Sequence, residues 1–218
     1  MGFYRGPNIV TDGLVYAMDA GSERSYPGTG TIVTYLVGSN TGTLTNGVGF
    51  SSANGGSFIF DGADDYVALG TAMSLTGAFT VTCWFKKETN SERSFLGKTT
   101  GSTGTKLIFL SNNNIFFRMT EGGSSSNFSI GYTTSLNNEW NFLTAIRSSS
   151  GVVSASINGN SLTTGGTLTG TFSPTAIGRN GDGQYWDGKL ANNLIYNREL
   201  TAAEITQNFN AQKSRFGL

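Results

Sequence analysis

The sequence predicts an all-β fold, in which two antiparallel sheets pack as a jelly-roll sandwich with one short C-terminal helix. Glycine is frequent and proline rare, with 31 and 3 of 218 residues, and only 13% of the residues are charged. Apolar residues recur at every second position along most of the chain, and one late segment has helical spacing instead. This composition and this period are typical of short strands joined by tight turns.

The alternation is clearest in FTVTCWF, where Phe79, Val81, Cys83 and Phe85 share one face. It predicts about eleven strands. The predicted strands are LVYAMD, SFIF, DYVAL, FTVTCWF, KLIFL, NIFFRMT, NFSIGY, WNFLTAIRS, VVSASING, TAIGR and GKLANNLIYN.

Two of the four Asn-Gly pairs lie between candidate strands and are interpreted as turns, because both residues tolerate a positive φ. Asn158-Gly159 predicts a two-residue hairpin. For the small, polar residues 38–49 two alternatives stay open, an irregular crossing segment or a short hairpin at Asn46-Gly47.

The segment LTAAEITQNF, residues 200–209, is the predicted helix. Thr201 and Glu204 have the spacing of a capping box, in which each side chain bonds the other residue's backbone amide. The apolar residues Ala202, Ile205 and Phe209 recur at helical spacing.

We divide the chain into an N-terminal arm, residues 1–12, and a jelly-roll domain, residues 13–218. The arm has few periodic apolar positions. No stretch has the length of a secretory signal core or a membrane span, so we expect synthesis in a cytosol without membrane insertion.

Charge and composition exclude several functions. The 14 basic and 14 acidic residues balance, and no basic run exceeds Lys86-Lys87, which argues against nucleic acid as a partner. Histidine is absent, which excludes Ser-His and Cys-His catalysis and histidine-bound zinc. Cys83 is the only cysteine, and its position in phase with apolar residues predicts a buried free thiol.

Several segments, in their order along the chain, resemble the laminin-G-like members of the concanavalin A-like lectin/glucanase superfamily. The most specific of them are FDGADDYV and DGKLANNLIYNRELTAAEI. The resemblance runs from about Gly13 to Ile205. It implies a jelly-roll sandwich, glycan or protein binding, calcium in some members, and glycoside hydrolysis in others. In particular, the chain resembles the free-standing modules common in bacteriophage virion proteins and bacterial surface proteins, which implies a virion surface location and virion structural proteins as partners.

We expect no enzymatic activity. The hydrolases of this superfamily carry two glutamates close together on one strand, because glycoside hydrolysis needs paired carboxyl groups. The seven glutamates here include no pair with that spacing on a predicted strand.

The stretch FDGADD has two interpretations. In the first, Asp61 and Asp64 bond nearby backbone amides and Gly62 adopts a positive φ, which makes a turn. In the second, Asp61, Asp64 and Asp65 hold calcium together with backbone carbonyls and water. Asp19, in AMDAGSERSY, is a further candidate oxygen ligand, or it ties its own loop.

The loop GRNGDGQYWDG, residues 178–188, is the candidate glycan site. Sugars are held by an aromatic face against the ring, with amides and charged groups at the hydroxyls. The candidate ligand-binding residues are Arg179, Asn180, Asp182, Tyr185 and Trp186. The alternative is that Tyr185 or Trp186 fills the end of the core.

Three other residues carry expectations. Trp140 is in phase with Phe142 and predicted to be core. Trp84 faces the other way, either under a loop or exposed on the concave sheet. Asn192 is in phase with apolar neighbours and predicted to be a buried amide that needs partners.

Two functions therefore stay open, a glycan-binding virion module and a structural capsid or tail decoration protein. Hydrolysis is the third and least favoured. Sheet edges can pair between subunits, so a homo-oligomer is a further alternative.

Overall fold

Sixteen strands and one α-helix form the fold of the computed structural model, which describes residues 7–71, 73–99, 106–121, 124–132 and 136–218. In chain order the elements are β1 (Leu14–Asp19), β2 (Ile32–Thr34), β3 (Thr41–Thr45), β4 (Gly49–Ser51), β5 (Ser57–Asp61), β6 (Tyr66–Leu69), β7 (Phe79–Lys87), β8 (Arg93–Gly97), β9 (Lys106–Ser111), β10 (Asn114–Glu121), β11 (Ser124–Gly131), β12 (Trp140–Arg147), β13 (Val152–Ile157), β14 (Thr163–Thr167), β15 (Ala176–Ile177), β16 (Asp187–Tyr196) and α1 (Ala202–Gln212).

The strands form two antiparallel sheets, which confirms the predicted sandwich. The first has the order β14-β13-β12-β7-β16-β5-β4, and β1 also pairs with β16. The second has the order β11-β10-β9-β8-β15-β6-β3-β2. Strand β16 pairs with β5 through its first residues and with β1 through its last ones, and its register with β7 shifts between Leu190 and Asn193. The shift falls where β16 exchanges one neighbour for the other.

All eleven predicted strands are present, and five others were missed, namely β2, β3, β4, β8 and β14. Most of these are short or built from glycine, threonine and serine, so they lack a run of alternating apolar residues. Of the two interpretations of residues 38–49, the crossing is correct and the irregular backbone is wrong, because Thr41–Thr45 is β3 in one sheet and Asn46-Gly47 joins it to β4 in the other. Both residues have positive φ, 67° and 113°.

The core lies between the sheets and follows the predicted alternation. Phe79, Val81, Cys83 and Phe85 all belong to it, and Cys83 is a buried free thiol. Trp84, on the opposite face of β7, stacks on Phe216 with ring centroids 4.2 Å apart. Trp84 is therefore covered, as in the first of its two predicted environments, and is not exposed on the concave sheet.

The C-terminal helix covers the outer face of the first sheet. Its capping box is present, with the Glu204 amide donating to Thr201 Oγ1 and Glu204 Oε2 accepting from the Thr201 amide. Ile205 packs with Ile146 and Leu194 of the sheet. The helix extends to Gln212, three residues past the predicted end.

Residues 7–12 lie against this helix. The Val10 amide donates to Asn208 Oδ1 at 2.8 Å, and Gln207 donates to the carbonyl of Asn8 at 2.8 Å. The rest of the predicted arm, residues 1–6, lies outside the described residues, and the boundary at residue 12 stays a prediction. Within the described ranges, no helix has the length and apolar character needed to cross a bilayer.

Candidate functional site

The predicted glycan loop is a compact hairpin between β15 and β16. Arg179 and Tyr185 form a backbone bridge across it. Asn180 Oδ1 accepts from the amides of Asp182 and Gln184, at 2.9 and 3.2 Å, and its amide group donates to Gln184 Oε1 at 2.6 Å. The polar atoms of the Asn180 side chain are therefore engaged in hydrogen bonds within the loop, and the side chain is fully buried.

Trp186 is also fully buried, which corrects its assignment as a ligand-binding residue. Its indole meets Phe85 and Phe95 edge-on inside the sandwich, with ring centroids 5.8 and 6.3 Å apart. The alternative interpretation, that one aromatic residue of the loop fills the end of the core, is correct for Trp186. Direct ligand contact is excluded for Asn180 and Trp186 because neither side chain reaches solvent.

The remaining loop residues face outward. The Arg179 guanidinium lies 4.6 Å from the Tyr66 ring centroid and 5.2 Å from that of Tyr185. Asp182 is exposed. Arg179 thus stacks on both tyrosines and holds Tyr185 half-buried at the surface.

The FDGADD stretch forms the turn from β5 in the first sheet to β6 in the second. Asp61 Oδ1 accepts from the Ala63 amide at 2.8 Å, and Gly62 has a φ of 76°. Asp65 Oδ2 accepts from the Asp61 amide at 3.1 Å. The predicted turn contacts are thus made by Asp61 and Asp65, while the Asp64 carboxylate points to solvent.

The same turn brings three carboxylates together. One oxygen from each of Asp61, Asp64 and Asp65 lies within 4.8 Å of the others. Burial raises the pKa of Asp65, the hydrogen bond from the Asp61 amide opposes this, and the charges of Asp61 and Asp64 raise the pKa further. This donor set fits a hard cation, because all its ligand atoms are carboxylate oxygens.

Asp19 lies elsewhere and does not join this cluster. Its two carboxylate oxygens each accept from the Arg215 guanidinium at 2.9 Å, and they also accept from the Gly21 amide and from Asn192. A carboxylate neutralised by a guanidinium is a poor cation ligand, so the prediction of Asp19 as a calcium ligand is wrong. Its alternative role, tying its own loop, is correct. Asn192 is the predicted buried amide.

A cleft with a volume of about 410 Å³ lies on another part of the surface. The entry to β12 supplies Trp140, the β13–β14 hairpin supplies Asn158 and Asn160, and the C-terminal residues Phe216 to Leu218 close one side. Trp140 is half-buried against Phe216, with ring centroids 4.7 Å apart. The prediction that Trp140 is core is therefore wrong in part.

Hydrogen bonds fix the walls of this cleft, which we call the Trp140 cleft. Trp140 Nε1 donates to Asn54 Oδ1 at 3.2 Å. Asn158 Nδ2 donates to Asn141 Oδ1 at 3.2 Å, and Asn158 Oδ1 accepts from the Phe142 amide at 2.7 Å. These bonds hold the amides and the indole in place before any ligand arrives.

The rim of the Trp140 cleft offers free polar groups. Glu139 and Asn160 are exposed, and within the described part of the chain neither side chain has a partner. Tyr132 adds a third aromatic side chain to the lining, beside Trp140 and Phe216, and burial raises the pKa of its phenol. The sequence signals were the polar strings SLNNEW and INGN, of which we interpreted only the second, as a hairpin turn at Asn158-Gly159.

A family profile matches residues 61–206, about two thirds of the chain. The profile describes the concanavalin A-like lectin/glucanases superfamily. The chain belongs to this superfamily. No curated protein matches the sequence significantly.

Solved structures confirm the fold of this concanavalin A-like chain. They include the receptor binding domain of botulinum neurotoxin C/D mosaic serotype, with a TM-score of 0.69 at 16% identity over 93% of this chain and 52% of that one. The botulinum neurotoxin serotype G binding domain has a TM-score of 0.68 at 16% identity, over 92% of this chain and 51% of that one. The binding domain of botulinum neurotoxin DC in complex with SialylT has a TM-score of 0.69 at 16% identity, over 92% of this chain and 52% of that one. The chain spans about half the length of each.

The superfamily name includes glucanases, so the acidic residues that line the cleft bear on its chemistry. Of the described residues that line the Trp140 cleft, Glu139 alone has a carboxylate side chain. A glycosidase of the common type needs a second carboxyl group across the scissile bond.

Proposed function

We propose that this protein is a non-catalytic carbohydrate-binding module and that its glycan ligand occupies the Trp140 cleft. The observation that carries the proposal is the pairing of a fixed, half-buried indole with unengaged polar groups in one concave site. An aromatic face covers the C–H side of a sugar ring, while carboxylate and amide groups bond its hydroxyls.

The chemistry of the cleft matches a neutral or hydroxyl-rich ligand. Glu139 accepts hydrogen bonds, and the Asn160 amide both donates and accepts. The walls contribute apolar surface from Trp140 and Phe216. Membership of a superfamily named for lectins supports the same ligand class.

The solved structures with this fold include one receptor binding domain, a second binding domain, and a third binding domain solved in complex with SialylT, which is in keeping with a binding role. Their identity of 16% supports the fold only, and the matched part is about half of each structure. The ligand of this chain is therefore proposed from its own cleft.

The test is a glycan array followed by calorimetry on the best ligand. Trp140→Ala removes the stacking surface and should abolish detectable binding. Asn160→Ala removes an exposed, unpaired amide and should weaken binding about tenfold without loss of fold, the usual cost of one hydrogen bond. Circular dichroism checks that each variant is folded.

Tyr185→Ala is the matched comparison, because Tyr185 is a half-buried aromatic residue of the loop at residues 178–188. We expect it to bind like the wild type. Binding lost in Tyr185→Ala but kept in Asn160→Ala and Trp140→Ala would move the site to the Arg179–Tyr185 loop. No binding to any glycan by folded protein would contradict the function itself.

For the biological setting we propose display on a virion surface, which the family resemblance alone supports. Antibody labelling of intact bacteriophage particles that encode the chain is the direct test. Label on the particle surface is the expected result, and its absence, with the protein present only in free form, would contradict the proposal.

A further inference from the structure

We propose that the ligand of this protein is a linear oligosaccharide, and that its second sugar unit lies in a smaller cleft beside the Trp140 cleft. The inference rests on the proposed function, because it assigns a second saccharide site next to the first. Its basis is that Asn160 lines both clefts, so that the two form one continuous surface.

The smaller cleft lies between the β13–β14 hairpin and the C-terminal helix, and we call it the α1 cleft. The hairpin supplies residues 159–162, and the helix supplies Ala202, Ile205 and Thr206. Its volume is about 180 Å³. Pockets for drug-sized ligands begin at about 300 Å³. The α1 cleft is therefore suited to a single sugar ring that belongs to a longer molecule.

Close contacts fix the tip of the hairpin between the two clefts. Gly159 has a φ of 70° and lies so near the helix that a Cβ there would be 3.1 Å from the Phe209 ring. The carbonyl of Asn160 accepts from Ser156 Oγ at 2.6 Å, and its amide donates to the carbonyl of Ile157 at 3.2 Å. These bonds hold the backbone of Asn160 and leave its side chain exposed.

The α1 cleft has an apolar floor and polar edges. Ile205 is buried in the cluster under the helix, and Leu162 packs against that cluster. Ser161 and Asn160 are exposed, and among the described residues neither side chain has a hydrogen-bond partner. A hydroxyl and an amide both donate and accept, so these edges match the hydroxyls of a sugar while the floor matches its C–H face.

Asn160 is placed to serve both sugar units. Its side-chain amide has two donor hydrogens and an acceptor oxygen, which is enough for one bond on each side of the hairpin tip. A ligand that reaches both clefts makes the contacts of the second without a second loss of translational and rotational freedom. Affinity should therefore rise steeply with the length of the saccharide.

The experiment is calorimetry on a length series of the best glycan-array ligand, from its single sugar to a tetrasaccharide. We expect the affinity to rise at least about tenfold between one and three units, because the linked unit binds at a high effective concentration, and to change little beyond that length. Ser161→Ala should weaken binding of the longer chains about fivefold, the usual cost of one hydrogen bond, and leave the single sugar unaffected.

Thr206→Arg tests where the second unit lies. Thr206 is exposed on the helix and lines the α1 cleft, and arginine is a stronger helix former than threonine, so the variant keeps its fold while its side chain fills the cleft. It should lower the affinity for the longer chains to that for the single sugar. Asn210→Arg places the same side chain at an exposed position of the same helix that lines neither cleft, and it should change nothing.

Equal affinity for the single sugar and for the longer chains would overturn the inference and leave the proposed function standing. Length-dependent binding that Thr206→Arg does not alter, or that Asn210→Arg lowers to the same extent, would also overturn it, because the additional units would then lie elsewhere. No binding of any saccharide by the folded protein would contradict the proposed function and this inference together.

Discussion

Trp186 and Tyr185 are adjacent, yet one is fully buried and the other reaches the surface. Near the entry to β16 successive side chains point to opposite faces, so one of two neighbouring aromatics must turn inward. The Trp186 amide donates to the Gly178 carbonyl at 2.7 Å and closes the loop, and in this arrangement Trp186 packs against Phe85.

At Trp186 we expect a packing role alone. Trp186→Ala should destabilise the protein by about 3–5 kcal/mol, because it leaves a cavity among aromatic rings. Trp186→Phe should cost less, since the indole Nε1 is buried without a partner. Urea unfolding measures both. Stability equal to wild type in the alanine variant would contradict the observed burial.

At the scale of elements, local sequence patterns predict most of the strands and the helix. Alternation along β7 separates core residues from Trp84, and the Thr201–Glu204 capping box starts α1. Short strands such as β3 and β14 escape sequence analysis because their hydrogen bonds to neighbours, not their own side chains, make them strands. Such pairing depends on residues far away in the chain.

The contribution of Glu204, at the start of α1, to the stability of the protein should depend on pH. Hydrogen bonds from Arg198 lower the pKa of Glu204 from 4.5 to about 2, with further help from Thr201. Because the folded-state pKa is depressed, this contribution is complete above about pH 4.5 and is lost as the pH falls towards 2.

Glu204→Gln keeps the capping geometry but removes the charge that pairs with Arg198 at 2.6 Å. We expect a loss of about 0.5–1 kcal/mol at pH 7, as for partly exposed ion pairs, and no difference from wild type near pH 2. Denaturant unfolding at both pH values is the measurement. A constant difference across this range would contradict an electrostatic origin.

At the scale of the whole molecule, the C-terminal residues contact three segments that are distant in the chain. Arg215 pairs with Asp19, donates to the carbonyl of Asn54, and donates to that of Gly56 at 2.6 Å. Phe216 next to it stacks on Trp84 and walls the Trp140 cleft. Arg215 and Phe216 therefore contribute both to the stability of the sandwich and to the shape of the Trp140 cleft.

Arg215→Ala should therefore destabilise the protein by about 2–3 kcal/mol, somewhat below the cost of breaking a fully buried pair because the side chain is partly exposed. It should also weaken glycan binding, since Asn54 holds both Arg215 and Trp140. Arg24→Ala removes an exposed arginine from a loop and serves as the control. Unchanged stability and binding in Arg215→Ala would show that the tail acts independently.

The sequence by itself determined the all-β class, eleven of the strands and the helix with its cap, and it offered the turn at FDGADD as one of two interpretations. Each depends on residues close together in the chain, through side-chain alternation, capping or a glycine φ. Tertiary structure alone decided that Trp186 is core, that Asp19 pairs with Arg215, and that Trp140 lines a cleft with Asn160 and Phe216. These outcomes depend on which strands pair and on how one sheet packs against the other, and no local pattern records that choice.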